Sequence, residues 1–179
     1  AQVNLIEGKT IKKFDIPSEK RAKDILKLTE ESSFLISETK EKPSIRKPQP
    51  PFITSTLIQE ASRKLNFKAG ETMKIAQELF SPKGTVDEGY ISYMRTDNPD
   101  IVDGQEISKI RLEINERYGQ EYSPETPIKY KSTSAQAQQG HGAIIPTDIR
   151  KYPSETSLNG DELKLYDLIW KRAVSSQME

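Results

Sequence analysis

The stretch Lys42-Pro43-Ser44-Ile45-Arg46-Lys47-Pro48-Gln49-Pro50-Pro51 divides the chain. Its four prolines in ten residues lock φ, remove backbone donors and forbid a regular helix, so the segment reads as an extended, stiff domain junction. Strand and helix signals mix before it, and helical signals dominate after it. The fold class is therefore α+β, with a small α+β unit over residues 1–47 and a mostly helical domain over residues 48–179.

Upstream of the junction, the apolar pattern predicts strands at Val3–Ile6 and Ile11–Phe14 around a turn at Glu7-Gly8. Pro17 and Ser18 open a helix with Ala22, Ile25, Leu26 and Leu28 on one side, and Ser33–Glu38 reads as a further strand. This unit is too small to be stable alone. Downstream, Thr54-Ser55-Thr56 offers hydroxyl caps to a helix carrying Leu57, Ala61 and Leu65, with Gln59 spaced for a capping box. After a break at Asn66–Gly70 a second helix runs over Glu71–Phe80, making a helix-turn-helix candidate. Gly89–Tyr93 reads as a short β segment. Asp103 caps a helix with Ile107, Ile110 and Ile114 on one face and Gly119 at its end, and a last helix covers Asp161–Met178.

Composition narrows the functions available. Twenty-seven basic residues balance twenty-seven acidic ones, so a domain gripping nucleic acid through phosphates alone is disfavoured. Any hold on DNA should be local, with other domains supplying the rest. No run approaches the roughly 18 apolar residues of a membrane span, which predicts a soluble, intracellular protein. The absence of cysteine excludes a disulfide framework and a cysteine zinc site, and a single histidine excludes a multi-histidine metal site.

Three side chains could do chemistry. Tyr93, at the end of the β segment, is followed two residues later by Arg95. A phenol attacks a phosphodiester once its proton is removed, and a guanidinium binds phosphate oxygens bidentately. A bare Tyr-x-Arg is more often a half-buried ring beside a surface cation. His141 sits in Gln139-Gly140-His141-Gly142-Ala143-Ile144-Ile145-Pro146-Thr147, where flanking glycines leave the imidazole uncrowded for a hydrogen bond to phosphate. A lone histidine in a glycine turn is, again, more often a solvated loop residue.

Five blocks in order shift that balance: Pro50–Leu65, Met73–Phe80, Gly89–Asp97, His141–Thr147, and Leu165–Arg172 with Ser176-Gln177-Met178. Together they resemble the type IA DNA topoisomerases, whereas the residues before Pro50 are only compatible with that family. The resemblance implies that Tyr93 attacks one DNA strand and forms a 5′-phosphotyrosyl link, that Arg95 places the scissile phosphate, and that His141 hydrogen-bonds near the broken strand, with Thr147 also on the DNA. It implies that Mg²⁺ is held outside this chain by a Toprim domain bearing an Asp-x-Asp-x-Glu pattern, which does not occur here. It further implies a partial arch domain before the junction, a tyrosine-bearing domain of winged-helix, catabolite-activator-like character after it, single-stranded DNA as partner, and a monomer working in the cytoplasm at the nucleoid.

The resemblance departs in two places. The bacterial type I form reads His-Glu-Ala-Ile-Arg-Pro-Thr where this chain has Gly142 and Ile145 in the glutamate and arginine places. That block is nearer topoisomerase III, while Tyr93-Met94-Arg95-Thr96-Asp97 is nearer the bacterial type I form. Alongside the enzyme reading stand a non-catalytic helix-turn-helix DNA-binding module using Thr54–Phe80, and an interaction domain without a DNA partner.

Overall fold

The computed structural model describes residues 5–6, 8–12, 14–33, 35–36, 38–44, 46–82, 88–131 and 141–179. The chain forms two compact units, Ala1–Ser44 and Ile45–Glu179, divided within the proline-rich stretch.

In the first unit, β1 (Leu5–Ile6) and β2 (Lys9–Thr10) pair antiparallel, Leu5 opposite Thr10 and Ile6 opposite Lys9. The expected second strand at Ile11–Phe14 is thus displaced toward the turn. Gly8 adopts φ +77°, a left-handed conformation that closes the hairpin within two residues and pairs Lys9 at once. Val3, Asn4, Glu7 and Lys13 lie outside the described residues. Helix α1 (Glu19–Glu30) starts where Ser18 Oγ accepts from the Arg21 N–H at 3.3 Å. It buries no residue, and Leu26 and Leu28 stay exposed. The described residues of Ser33–Glu38 form no strand, since none of them finds a ladder partner; Phe34 and Ser37 lie outside the described residues.

The second unit is mostly helical. Helix α2 (Thr54–Leu65) begins earlier than its hydroxyl run suggests. Thr56 lies inside the first turn and reaches back to accept from the Ile53 N–H at 3.0 Å, which frees the Thr54 hydroxyl to bond outside its own helix. Arg63 and Lys64 occupy the last turn, where the helix dipole favours cations, and Asn66 at φ 60° ends the helix. After Phe67 and Lys68, α3 (Ala69–Phe80) buries Thr72, Ile75, Ala76 and Leu79, the i, i+3, i+4, i+7 stripe of a half-buried helix. Glu71 caps its start by accepting from the Lys68 N–H at 3.2 Å.

Helix α4 (Gly104–Arg117) is capped by Asp103, which accepts from the Gln105 N–H at 2.8 Å, and it buries Ile107, Ile110 and Ile114. Glu113 is also buried and pairs with Arg117, whose guanidinium lies 3.6 Å from the centroid of the Tyr152 ring. Helix α5 (Gly160–Ser175) packs against α2, α3 and α4. Such a position demands a wide apolar stripe, and Leu165, Tyr166, Leu168, Ile169, Trp170, Ala173 and Val174 supply it.

Strand-like pairing in this unit is confined, among the described residues, to two isolated antiparallel bridges, Phe52 with Ile144 and Ile91 with Pro146. The segment around Ile144–Pro146 therefore runs between the residues entering α2 and those carrying Tyr93. Polar tips on α5 hold its continuation: the Tyr166 hydroxyl donates to the Lys151 carbonyl at 2.7 Å and the Trp170 indole N–H to the Ile149 carbonyl at 2.8 Å.

Candidate active site

The segment bearing Tyr93 is fixed from three directions. Its start crosses the end of α3 so closely that the Tyr90 N–H donates to the Leu79 carbonyl at 2.7 Å. A Cβ on Gly89 would fall inside the Phe80 carbonyl, so only glycine fits there. Ile91 and Met94 are buried in the core, 1% and 0% exposed, and Tyr93 between them is half-buried with its ring packed against that core. On one flank the Ser92 N–H donates to the Ile145 carbonyl at 2.9 Å, the Ser92 hydroxyl donates to the Ala143 carbonyl at 2.9 Å, and Ser92 Oγ accepts from the Ile145 N–H at 3.0 Å. On the other, the Thr54 hydroxyl lies 2.8 Å from the Met94 carbonyl and 3.0 Å from the Thr96 carbonyl, and accepts from the Thr96 N–H at 2.9 Å.

These clamps bring Tyr93 and His141 together across a large gap in sequence. Their ring centroids are 4.7 Å apart at 41°, and the Phe80 and Tyr93 rings meet in a T-shaped contact at 5.6 Å and 68°. His141 is exposed, as is Arg95, whose guanidinium makes no hydrogen bond or ion pair with the described residues. An exposed guanidinium two residues along from the phenol, and an exposed imidazole in contact with its ring, can meet an anion from solvent without breaking a hydrogen bond to the described residues. Thr147 differs from these three. Its hydroxyl donates to the Gly89 carbonyl at 2.6 Å and its N–H to the Tyr90 carbonyl at 3.1 Å, so its proton is spent on holding the tyrosine segment.

The seven tyrosines differ in how their hydroxyls are engaged. Tyr90 shares a hydrogen bond with Ser157 at 3.1 Å and rests edge-on against Tyr166. Tyr118 and Tyr152 share one at 3.3 Å, which together with burial pushes the Tyr118 phenol up to about 12. The Tyr130 hydroxyl donates to the Ser176 carbonyl, and burial pushes both Tyr130 and Tyr166 above the ordinary phenol value, keeping them neutral donors. The Tyr93 hydroxyl makes no hydrogen bond with the described residues, and its ring is the tyrosine ring that meets the histidine, at a tilt of 41°.

The sequence comparison decides the family: a family model described as DNA topoisomerase matches residues 2–179. The chain belongs to the DNA topoisomerase family. Among its relatives, the DNA topoisomerase 1 of Rickettsia bellii is 42% identical across the whole of this chain, and that of Synechocystis is 47% identical over 78% of it. The full-length topoisomerase I of Thermotoga maritima superposes on 74% of the chain with a TM-score of 0.61 and 39% identity. The bacterial type IA assignment rests on these together. This topoisomerase chain spans 23% of the Rickettsia protein's length and 21% of the Thermotoga chain.

The two departures from the type I motif have local causes. Ile145 is 7% exposed and packs in the core. A Cβ on Gly142 would lie 3.1 Å from the Asp100 carbonyl oxygen and 3.2 Å from Val102 Cγ2, so close packing occupies the space at the glutamate place. Among the described residues no three His, Cys, Asp or Glu side chains come together as a metal site. Also among them, no helix is long and apolar enough to cross a membrane. The motif blocks contain Thr54, Phe80 and Gly89 as well as Tyr93, Arg95 and His141, but assign a role only to the last three. Gly89 carries a readable signal, a glycine opening a strand, whereas the reach of Thr54 across 40 residues carries none.

Proposed function

We propose that this chain supplies the nucleophile of a type IA DNA topoisomerase that cleaves and rejoins one DNA strand. The observation carrying the reading is the Tyr93–His141 ring contact, in which a half-buried phenol with no hydrogen bond to the described residues lies against an exposed imidazole, with the exposed Arg95 two residues along the chain. In the proposed reaction Tyr93 Oη bonds to the scissile phosphorus as the phenol loses its proton. The bond to the 3′ oxygen breaks, and that oxygen takes up a proton to leave a 3′ hydroxyl. Rejoining reverses both bonds, so phosphodiester energy is conserved and ATP is not needed. Arg95 clamps the phosphate oxygens, and His141 donates a hydrogen bond to the strand.

Thr147 acts at the DNA site by fixing the Gly89–Tyr90 backbone. In the whole protein, Mg²⁺ is held by a Toprim domain outside this chain, residues 1–47 form part of an arch domain, and residues 48–179 form the tyrosine-bearing domain, with α2 and α3 the helix pair of its winged-helix-like fold. The protein works as a monomer on single-stranded DNA in the cytoplasm, at the nucleoid, and the names of its relatives favour a topoisomerase I over a topoisomerase III.

The test is to react labelled single-stranded DNA with the full-length protein, quench with denaturant, and map the modified residue by mass spectrometry. The adduct is expected on Tyr93. An adduct on Tyr90, Tyr118 or another tyrosine would remove Tyr93 as nucleophile, and no adduct at all would favour a non-catalytic helix-turn-helix DNA-binding module. In the same assay Arg95→Ala is expected to slow cleavage by about 10²-fold, the usual cost of losing one placed charge at a reacting phosphate. Unchanged cleavage would place Arg95 outside the site.

A further inference from the structure

We infer that Asn98 is a positioning residue that sets His141 against Tyr93, an inference that rests on the proposed cleavage function. The Asn98 side chain donates from Nδ2 to the His141 carbonyl at 3.2 Å and accepts at Oδ1 from the Asp100 N–H at 3.1 Å. The second contact settles the amide's orientation, because a backbone N–H can bond only its oxygen and the nitrogen must then face the carbonyl. Asn98 is itself held by its own N–H, which donates to Thr96 Oγ1 at 3.1 Å. Thr96 in turn is tied to Thr54. An unbroken series of hydrogen bonds thus runs from the start of α2, past the Tyr93 segment, to the backbone of His141.

The neighbouring contacts make the 98–102 segment a template for the histidine turn. The Ala143 N–H donates to the Asp100 carbonyl at 2.9 Å, and Gly142 lies flat against Asp100 and Val102. These two contacts hold the far side of the turn, and the Asn98 amide alone among the described side chains holds the carbonyl of His141 itself. The imidazole is exposed and its ring meets Tyr93 at 4.7 Å, so its placement depends on the backbone that carries it. A short local turn and a long-range tether are combined in one side chain. Serine at position 98 could keep the local turn, since its hydroxyl can accept from the N–H two residues on, but it is too short to reach His141.

The experiment is a double-mutant cycle in the full-length protein, combining Asn98→Ser with His141→Ala and reading the single-turnover rate of adduct formation on labelled single-stranded DNA. Asn98→Ser is expected to slow cleavage about tenfold, the effect of one lost hydrogen bond, with DNA affinity unchanged and the thermal midpoint lowered by no more than about 4 °C. In the His141→Ala background the same substitution is expected to change the rate by less than about twofold, because no imidazole remains to be placed. Asn98→Gln, which keeps the donor on a longer stem, should recover part of the loss. A tenfold loss in both backgrounds would show that Asn98 acts on the fold and overturn the inference, as would full activity of Asn98→Ser. If wild-type protein forms the Tyr93 adduct in either of those cases, the proposed function survives. If wild-type protein forms none, that function fails and the inference falls with it.

Discussion

Replacing Tyr93 with phenylalanine is expected to abolish the covalent protein–DNA adduct in the full-length protein while leaving the fold intact. The two halves of this expectation have separate causes. Cleavage needs the phenolic oxygen, and no second tyrosine stands ready: Tyr90, Tyr118, Tyr130, Tyr152 and Tyr166 each have their hydroxyl in a hydrogen bond, and the single histidine meets the ring of Tyr93, leaving Tyr122 without one. Stability needs only the ring, which packs on Phe80 and His141. The lost hydroxyl leaves no described partner unsatisfied, so the change in stability should stay within about 0.5 kcal/mol. Adduct yield on labelled single-stranded DNA and the thermal midpoint check the two halves together. Label retained by Tyr93→Phe at the wild-type level would sink the assignment, and a large drop in midpoint would show that the hydroxyl has a structural partner.

Gly89→Ala is expected to destabilise the second unit strongly. The added methyl would meet the Phe80 carbonyl group at once and sit 2.7 Å from the Leu79 oxygen. Neither can yield cheaply, because both belong to the last turn of α3, and the Tyr90 N–H to Leu79 bond fixes the spacing. Overpacking against backbone should cost about 3 kcal/mol or more, which lowers the midpoint by about 10 °C for a domain of this size. The strain would also pull Thr147 from Gly89 and shift the segment carrying Tyr93, so adduct formation should fall as well. Thermal unfolding of the variant measures this directly, and a midpoint within about 2 °C of wild type would show that the crossing can open to admit a methyl group. A Gly70→Ala control, with open space around the new methyl, should be neutral or slightly stabilising, since it lies within a helix.

Much of the second unit is legible in the sequence, and the reasons are local. The α4 sequence carries its own start in Asp103, its apolar spacing in Ile107, Ile110 and Ile114, and its stop near Gly119, so each boundary follows from neighbouring residues. The first unit is less legible. Its hairpin register depends on Gly8, whose left-handed backbone tightens the turn and moves the second strand to Lys9–Thr10. A strand at Ser33–Glu38 needs a partner to pair with, and the described residues provide none. Hydroxyls at the start of α2 mislead for a related reason: Thr54 looks like a cap in sequence, yet its oxygen is drawn away by the Met94 and Thr96 carbonyls.

The sequence by itself determined the family and the candidate chemistry, because both rest on residue types held at set spacings: Tyr93 with Arg95, and His141 between its neighbours, embedded in ordered motif blocks. It also determined the amphipathic helices, whose period is written in adjacent turns. Only the tertiary structure decided which side chains share the site. Tyr93 and His141 lie far apart along the chain, and their contact depends on Ser92 meeting Ala143 and Ile145, on Thr54 reaching Met94, and on Asn98 reaching His141. Such contacts are set by how α5 and α3 pack against the intervening segments. Nothing in the spacing of residues along a chain encodes a distance between two segments that only a shared core brings together.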